Sequence, residues 1–128
     1  MKIVVDASAL LAILFADPDA EIYISKLLTA EKIWISPLNW WEVQVRMLSK
    51  YGESGPARSD AWMQSLKIVV EPVTLAQTQI ALRAFGKYKG RPARLNMGDC
   101  FAYALAESKG VGLLFKGNDF AATDVKQA

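Results

Sequence analysis

The sequence predicts an α/β protein in which helices cover both faces of a parallel sheet of four to five strands. Short apolar runs of three or four residues alternate along the chain with longer segments of helical periodicity, as in βαβ units. The strand candidates are apolar throughout, which is typical of strands buried on both faces. The length of 128 residues and the hydrophobic content of 52% predict one domain over residues 1–128.

The N-terminal segment begins with a predicted strand at residues 3–5 and a helix over residues 9–15. A second helix ends at Leu28. Asp17 or Asp19 is expected to cap the first turn of this second helix, because aspartate is a favoured N-cap residue.

The next strand is predicted at residues 33–35, and Ser36-Pro37 starts the helix that follows it. Serine is a favoured N-cap, and proline is tolerated at the first helical position, so a helix is expected to run on to Lys50. A further helix covers residues 57–66.

Within the helix that starts at Pro37, the apolar residues predict a stripe buried against the core. The members of this stripe are Leu38, Trp41, Val45 and Leu48. Glu42 borders the stripe, and its simplest role is an ion pair with Arg46, four residues further along the helix.

The second half of the chain repeats the alternation of strands and helices. We predict a strand at 67–70, a helix from Thr74 to Gly86, a helix over 98–108 capped by Gly110, a strand at 113–115 and a short fifth strand near Asp124.

Histidine is absent and cysteine occurs once. These counts exclude Ser-His-Asp and Cys-His catalysis, histidine-ligated zinc and an internal disulfide. The single Cys100 predicts a reducing, cytoplasmic location. The longest apolar run, residues 9–16, has eight residues, so no membrane span is expected. Catalysis would have to rest on carboxylates, hydroxyls, lysine or arginine, or a metal.

Two carboxylates follow predicted strands closely. Asp6 comes after the first strand and Asp119 just after the fourth. The carboxyl ends of parallel strands meet at one edge of the sheet, where ligands bind in such folds. Taken singly, Asp6 also suits a helix N-cap and Asp119 a turn. Ser8 can orient Asp6, and Asn118 and Asp124 compete with Asp119 for a functional role.

Asp99 opens the helix predicted over 98–108, where it can act as a cap, and Gly98 permits close backbone approach. Two helices can bring Glu42 and Asp99 over the edge that holds Asp6. Carboxylates packed together repel one another, and a divalent cation relieves that repulsion. Oxygen ligands suit Mg²⁺ or Mn²⁺, with water completing the coordination.

A basic arm precedes Asp99. No acidic residue lies between Glu71 and Asp99. A polyphosphate backbone is the natural partner of such a segment, although a solvated basic loop is an equal alternative. The cations of the arm are Arg83, Lys87, Lys89, Arg91 and Arg94.

At the level of motifs, residues 4–10 (VVDASAL) resemble the opening of PIN domains. Residues 95–106 (LNMGDCFAYALA), 113–120 (LLFKGNDF) and Thr123-Asp124 resemble the C-terminal half of VapC toxins. The resemblance implies a three-layer α/β/α sandwich. It also implies an Mg²⁺-dependent endoribonuclease toxin that usually forms a homodimer and is blocked by a cognate antitoxin. The implied substrate is structured RNA, commonly transfer RNA.

The same resemblance assigns roles to the acidic residues. Three acids of the family are matched by Asp6, Glu42 and Asp99. For the fourth acidic position Asp119 is favoured over Asp124, and Asn118 cannot supply a carboxylate. Asp6 and Asp99 would hold Mg²⁺, with Asp119 binding directly or through water. Glu42 would position or deprotonate the attacking water, leaving 5′-phosphate and 3′-hydroxyl ends.

Two other classes of protein share part of this pattern. Phosphatases of the haloacid dehalogenase type also begin with a strand followed by Asp, but they need a second Asp where this chain has Ser8. A non-catalytic nucleic-acid-binding module would use the basic arm alone, and it would bind RNA without metal-dependent cutting.

Overall fold

The structure, a computed structural model, describes residues 1–128 and contains four strands and six helices. The strands are β1 (Lys2–Val5), β2 (Lys32–Ile35), β3 (Ile68–Val70) and β4 (Gly112–Leu114). The helices are α1 (Ala7–Leu14), α2 (Ala20–Thr29), α3 (Pro37–Tyr51), α4 (Ser54–Ser65), α5 (Leu75–Tyr88) and α6 (Met97–Lys109). None of the helices is both long and apolar enough to cross a membrane.

The four strands form one parallel sheet in the order β3-β2-β1-β4. The predicted fold class is therefore confirmed, with β1 at the centre. The fifth strand expected near Asp124 does not form, and only an isolated bridge joins Leu113 to Gln127. The reason is local: the backbone N–H of Asp124 donates to the hydroxyl of Tyr88, and its carboxylate accepts from Tyr103. These bonds hold the segment in a turn.

Two apolar clusters lie on opposite faces of the sheet, as a three-layer α/β/α sandwich requires. Val4 packs with α5 and α6 on one face, whereas Ile3 and Val5 pack with α1 and α3 on the other. This split follows from the period of two in a strand. Gly110 ends α6 with φ of 66°, as its predicted cap role requires.

The predicted buried stripe of α3 is wrong. Trp41 is 62% exposed and Leu48 is 49% exposed, and Leu38 and Val45 are half-buried. The helix instead buries Asn39, Val43, Gln44 and Met47. Two of these residues, Asn39 and Gln44, are polar, and their side chains form hydrogen bonds inside the fold. A stripe chosen by apolar character alone therefore falls on the wrong face of the helix. The side chain of Gln44, for example, accepts from the Ser59 hydroxyl and donates to the carbonyl of Pro56 at 3.2 Å.

Candidate active site

A cleft of about 400 Å³ opens at the carboxyl end of β1, beside the first turns of α3 and α6. It brings together the four carboxylates singled out in the sequence, namely Asp6, Glu42, Asp99 and Asp119. Ser8, Asp17, Arg46 and Asn96 also line it. The spatial convergence expected from strand ends and helix positions is therefore present.

Asp6 is held at the floor of the cleft by both the sheet and α1. Its backbone N–H donates to the carbonyl of Leu114 at 2.9 Å. Its carboxylate is 4% exposed and accepts from the backbone N–H of Ser8 at 3.0 Å and from the Ser8 hydroxyl at 2.6 Å. The Ser8 hydroxyl accepts in turn from the backbone N–H of Lys116 at 2.9 Å. Asp6 is thus both the N-cap of α1 and a fixed carboxylate of the cleft.

Asn39 links the elements around the cleft, and the sequence analysis missed it. Its side-chain amide lies 3.4 Å from Oδ1 of Asp6, 3.3 Å from Oε1 of Glu42 and 3.1 Å from the carbonyl oxygen of Gly98. Its own Oδ1 is buried and has no hydrogen-bond partner. The only sequence indication is its position three residues before Glu42, which puts both on one helix face.

Asp99 is fixed by a reciprocal capping box at the start of α6. The backbone N–H of Asn96 donates to Oδ2 of Asp99 at 3.0 Å, and Oδ1 of Asn96 accepts from the backbone N–H of Asp99 at 2.8 Å. The expected capping role is therefore present together with the placement in the cleft. Asp99 is oriented by its own helix before any ligand binds.

Burial and mutual repulsion disfavour the ionised form of the carboxylates in the cleft. Burial raises the pKa of Asp6 to about 6, and the carboxylates of Glu42 and Asp119 add to this effect. Burial likewise raises the pKa of Asp99 to about 6, with Asp6 and Asp119 contributing. The pKa of Glu42 is raised by burial and by Asp99. These carboxylates lie within one another's field, as a cation-binding site requires.

No ion pair within 4.0 Å compensates these carboxylates. The expected pair between Glu42 and Arg46 does not form, although Arg46 lines the cleft. Arg46 instead lies with its guanidinium carbon 5.3 Å from the ring centroid of Phe15. The negative charge of the cleft is therefore available to an external cation.

The donor set of the cleft fits Mg²⁺ or Mn²⁺, because it consists of carboxylate oxygens. No three Asp, Glu or Cys side chains lie close enough together to hold an ion by themselves. An ion here would therefore complete its shell with water, as Mg²⁺ commonly does. The unpaired Oδ1 of Asn39 is a buried acceptor beside these carboxylates, and it suits a hydrogen bond from such a water.

The structure separates the two candidates for the fourth acid. Asp119 lines the cleft. Asp124 lies outside it, where its carboxylate accepts from the hydroxyl of Tyr103 at 2.6 Å and faces Lys87 at 4.0 Å. Asn118 is exposed and does not line the cleft.

The basic arm does not enter the cleft: none of its five cations lines it. Arg83 and Lys87 instead line a separate pocket of about 240 Å³. Lys89 lies 5.9 Å from the ring centroid of Phe85. Any RNA contact made by the arm would therefore be made outside the carboxylate cleft.

One cation near the cleft was not predicted. The ammonium of Lys116 lies 2.8 Å from Asp17 and 2.9 Å from Asp19. Asp19 occupies the N-cap position of α2, but its side chain makes no capping hydrogen bond. Asp19 is thus the N-cap of α2 by position, as expected, but neither carboxylate makes a capping hydrogen bond, because Lys116 engages both.

The sheet order and the acidic edge define a class of protein, and comparison with known families agrees. Residues 3–126 match the PIN domain family. The chain is similar to a ribonuclease VapC of Mycolicibacterium smegmatis, with 40% identity covering 95% of this chain and 96% of the relative. It is also similar to ribonuclease VapC28 of Mycobacterium tuberculosis, with 38% identity covering 98% and 96%.

Solved structures show the same fold. The Mycobacterium tuberculosis toxin VapC20, described as cleaving the sarcin–ricin loop, superposes with a TM-score of 0.80 at 18% identity, covering 98% of each chain. VapBC2 of Rickettsia felis, solved on a DNA fragment of its promoter, gives 0.77 at 13% identity, covering 99% and 96%. The chain is thus a PIN domain, and it belongs to the VapC family within that class. The resemblance expected from residues 4–10 and 95–124 is confirmed.

Proposed function

We propose that this protein is a metal-dependent endoribonuclease toxin that cleaves structured RNA at an exposed single-stranded loop. The observation that carries the proposal is the cleft itself, in which four carboxylates converge without a compensating ion pair. The names of the VapC relatives support ribonuclease activity. Transfer RNA is the first substrate class to test.

Asp6 and Asp99 would hold Mg²⁺ or Mn²⁺, and Asp119 would bind it directly or through water. When bound, the ion lowers the pKa of a water molecule and neutralises charge that develops on the phosphate. Glu42, which lies within hydrogen-bond reach of the Asn39 amide at 3.3 Å, positions and deprotonates the attacking water. Burial and the Asp99 carboxylate raise the pKa of Glu42, which makes it a stronger base than a free glutamate. Attack at phosphorus then leaves 5′-phosphate and 3′-hydroxyl ends.

Product chemistry tests this reaction. We expect the purified chain to cut RNA only when Mg²⁺ or Mn²⁺ is added. The products should carry 5′-phosphate ends, and their 3′-hydroxyl ends should be ligated to a 3′ adapter without prior removal of a phosphate. Products with 2′,3′-cyclic phosphate ends would overturn the water-attack mechanism. Tight RNA binding without any metal-dependent cutting would instead support a non-catalytic nucleic-acid-binding module.

A protein partner is the second part of the proposal, namely a cognate antitoxin together with a second copy of the chain. Several large apolar side chains are exposed, which is typical of interaction surfaces. They include Trp41, Leu48, Leu75, Leu82, Phe85 and Met97. An apolar pocket of about 510 Å³ adjoins Glu42 between α3 and α6. The solved VapBC complexes of the same fold support an antitoxin partner. Mass measurement of the chain, alone and with the antitoxin, tests both expectations.

The position of the fourth acid gives a paired prediction. Asp119→Asn is expected to lower the cleavage rate on the order of 10- to 100-fold and to weaken metal binding, because it removes a carboxylate from the cleft. Asp124→Asn is expected to leave both unchanged, since the Asn carbonyl can still accept from Tyr103. Initial cleavage rates over a Mg²⁺ titration measure both effects. The opposite ranking of the two variants would move the fourth acid to Asp124.

Gly98 gives a second prediction. A methyl group on its Cα would overlap Oε1 of Glu42. Because Glu42 can swing away, Gly98→Ala is expected to keep the fold and to lower cleavage about 10- to 100-fold by displacing the carboxylate. Gly86→Ala in α5 is the matched control, since its methyl group would meet nothing within 4 Å. The control is expected to cut normally and to gain roughly 0.5–1 kcal/mol of stability. Equal cleavage rates in the two alanine variants would contradict the role of Glu42.

A further inference from the structure

A surface beside the cleft alternates cations with aromatic rings, and neither the sequence motifs nor the proposed reaction uses it. We call it the cation–aromatic ladder. In order from the cleft, its members are Arg46, Phe15, Lys50, Tyr51 and Arg58. The first two of these line the same cleft as the four carboxylates. The ladder therefore begins at the proposed site of reaction and leads away from it along α3 to α4.

The spacing within the ladder is regular. The ring centroid of Phe15 lies 5.3 Å from the guanidinium carbon of Arg46 and 4.4 Å from the ammonium of Lys50. The Tyr51 ring has Lys50 at 5.6 Å and the guanidinium carbon of Arg58 at 5.9 Å. The two ring centroids are 6.5 Å apart, with their planes inclined by 54°. Contacts of this kind fix the direction of long cationic side chains that would otherwise be mobile.

The charge on the ladder is not used within the fold. None of its three cations lies within 4.0 Å of a carboxylate, whereas Lys109 and Lys116 are both paired. All three ladder cations are exposed, and so is Tyr51, at 43%. An acidic cleft alone repels a polyphosphate chain, so a substrate needs cations at its border. Arg46 supplies the first of these, one helical turn after Glu42.

We infer that the ladder binds a single-stranded segment of the RNA substrate next to the phosphate that is cut. The inference rests on the proposed ribonuclease function. Cations that follow the backbone, interleaved with rings on which bases stack, form the usual surface for unpaired strands. The basic arm is not continuous with the cleft, because none of its cations lines the cleft. The single-stranded part of the substrate would therefore lie along α3 and α4.

RNA binding in an uncut complex tests the inference. All variants carry Asp6→Asn to prevent cutting, and the probe is a fluorescein-labelled single-stranded RNA oligonucleotide followed by anisotropy over a range of salt. Replacing Arg46, Lys50 and Arg58 together by Gln is expected to weaken binding by about tenfold or more. The slope of log K against log salt should fall by about 2, since each phosphate contact on a single strand contributes roughly 0.7.

The aromatic part has its own variants. Tyr51→Leu is expected to weaken RNA binding about fivefold or more without changing the salt slope. Tyr51→Phe keeps the ring and is expected to bind RNA like the parent. The charge-matched control replaces Lys2, Lys26 and Lys126 by Gln. None of these lines the cleft or belongs to the ladder, so the control should bind like its parent. Melting temperatures of all variants report whether each one folds.

Unchanged affinity and salt slope in the triple ladder variant would overturn the inference, as would an equal loss in the control. Normal RNA binding combined with lost binding of the cognate antitoxin would also overturn it and give the surface to the antitoxin. Cleavage by the unmodified chain is measured in parallel. Cutting without a ladder effect rejects the ladder alone, whereas a chain that neither binds nor cuts RNA also rejects the proposed function.

Discussion

Asp6→Asn is expected to reduce RNA cleavage by about 10³-fold or more while the chain stays folded. The variant removes a carboxylate from the floor of the cleft, where Asp6 is held by Ser8 and by the backbone of β4. It should not disturb the N-cap of α1, because an Asn carbonyl can accept the same bonds from Ser8. The variant loses only the long contact in which Oδ1 of Asp6 accepts from the Asn39 amide at 3.4 Å.

The measurement is single-turnover cleavage of labelled RNA at saturating Mg²⁺, with circular dichroism to confirm the fold. Asp60→Asn is the matched control, since Asp60 lies on α4 outside the cleft. Its Oδ1 accepts from Trp40 and its Oδ2 from the exposed Gln64, and Asn can keep the bond from Trp40. The control should cut at the parent rate. Cleavage by purified Asp6→Asn within tenfold of the parent would remove Asp6 from the reaction.

Mg²⁺ is expected to raise the melting temperature, and to raise it far more at about pH 8 than at about pH 5. The folded pKa of Asp6 and of Asp99 is raised to about 6, whereas an unperturbed Asp has a pKa of about 3.9. Between these values the folded state binds more protons than the unfolded state. The stability of the metal-free chain therefore falls as pH rises from about 4 to about 6, and then levels off.

A divalent ion binds the ionised carboxylates, so its stabilising effect is fully developed only above about pH 6. At a hundredfold excess over Kd, the melting temperature should rise by roughly 10 °C at about pH 8. Addition of EDTA should remove the rise and abolish cleavage. Asp99→Asn is the informative variant: it should melt higher than the parent in EDTA at about pH 8 and respond weakly to Mg²⁺. A parent chain whose melting temperature responds equally to Mg²⁺ at both pH values would contradict this linkage.

Positions fixed by periodicity and strand ends could be predicted from the sequence. Asp6 and Asp119 follow buried apolar strands, and parallel topology alone brings such residues to one edge of the sheet. The role of Asp99 could be predicted because Gly98 precedes it and because it stands in the first turn of an apolar helix. These inferences need only local chemistry and the rule that parallel strands share a direction.

Features that depend on tertiary pairing could not be predicted. Asn39 and Gln44 are buried because the fold supplies them with partners, so a stripe drawn from apolar residues placed the wrong face of α3 against the core. The pairing of Lys116 with Asp17 and Asp19 joins residues about a hundred positions apart. The choice between Asp119 and Asp124 likewise depends on the hydroxyl of Tyr103, whose position no local pattern reveals.

The order of the strands has a consequence for the synthesis of this protein. β1 is synthesised long before β4, which pairs with it in the sheet, and Asp6 is fixed partly through Leu114 and Lys116. A nascent chain that has not yet extended past Asp119 lacks this strand and the acid that follows it. The cleft can therefore assemble only after that part of the chain has been synthesised.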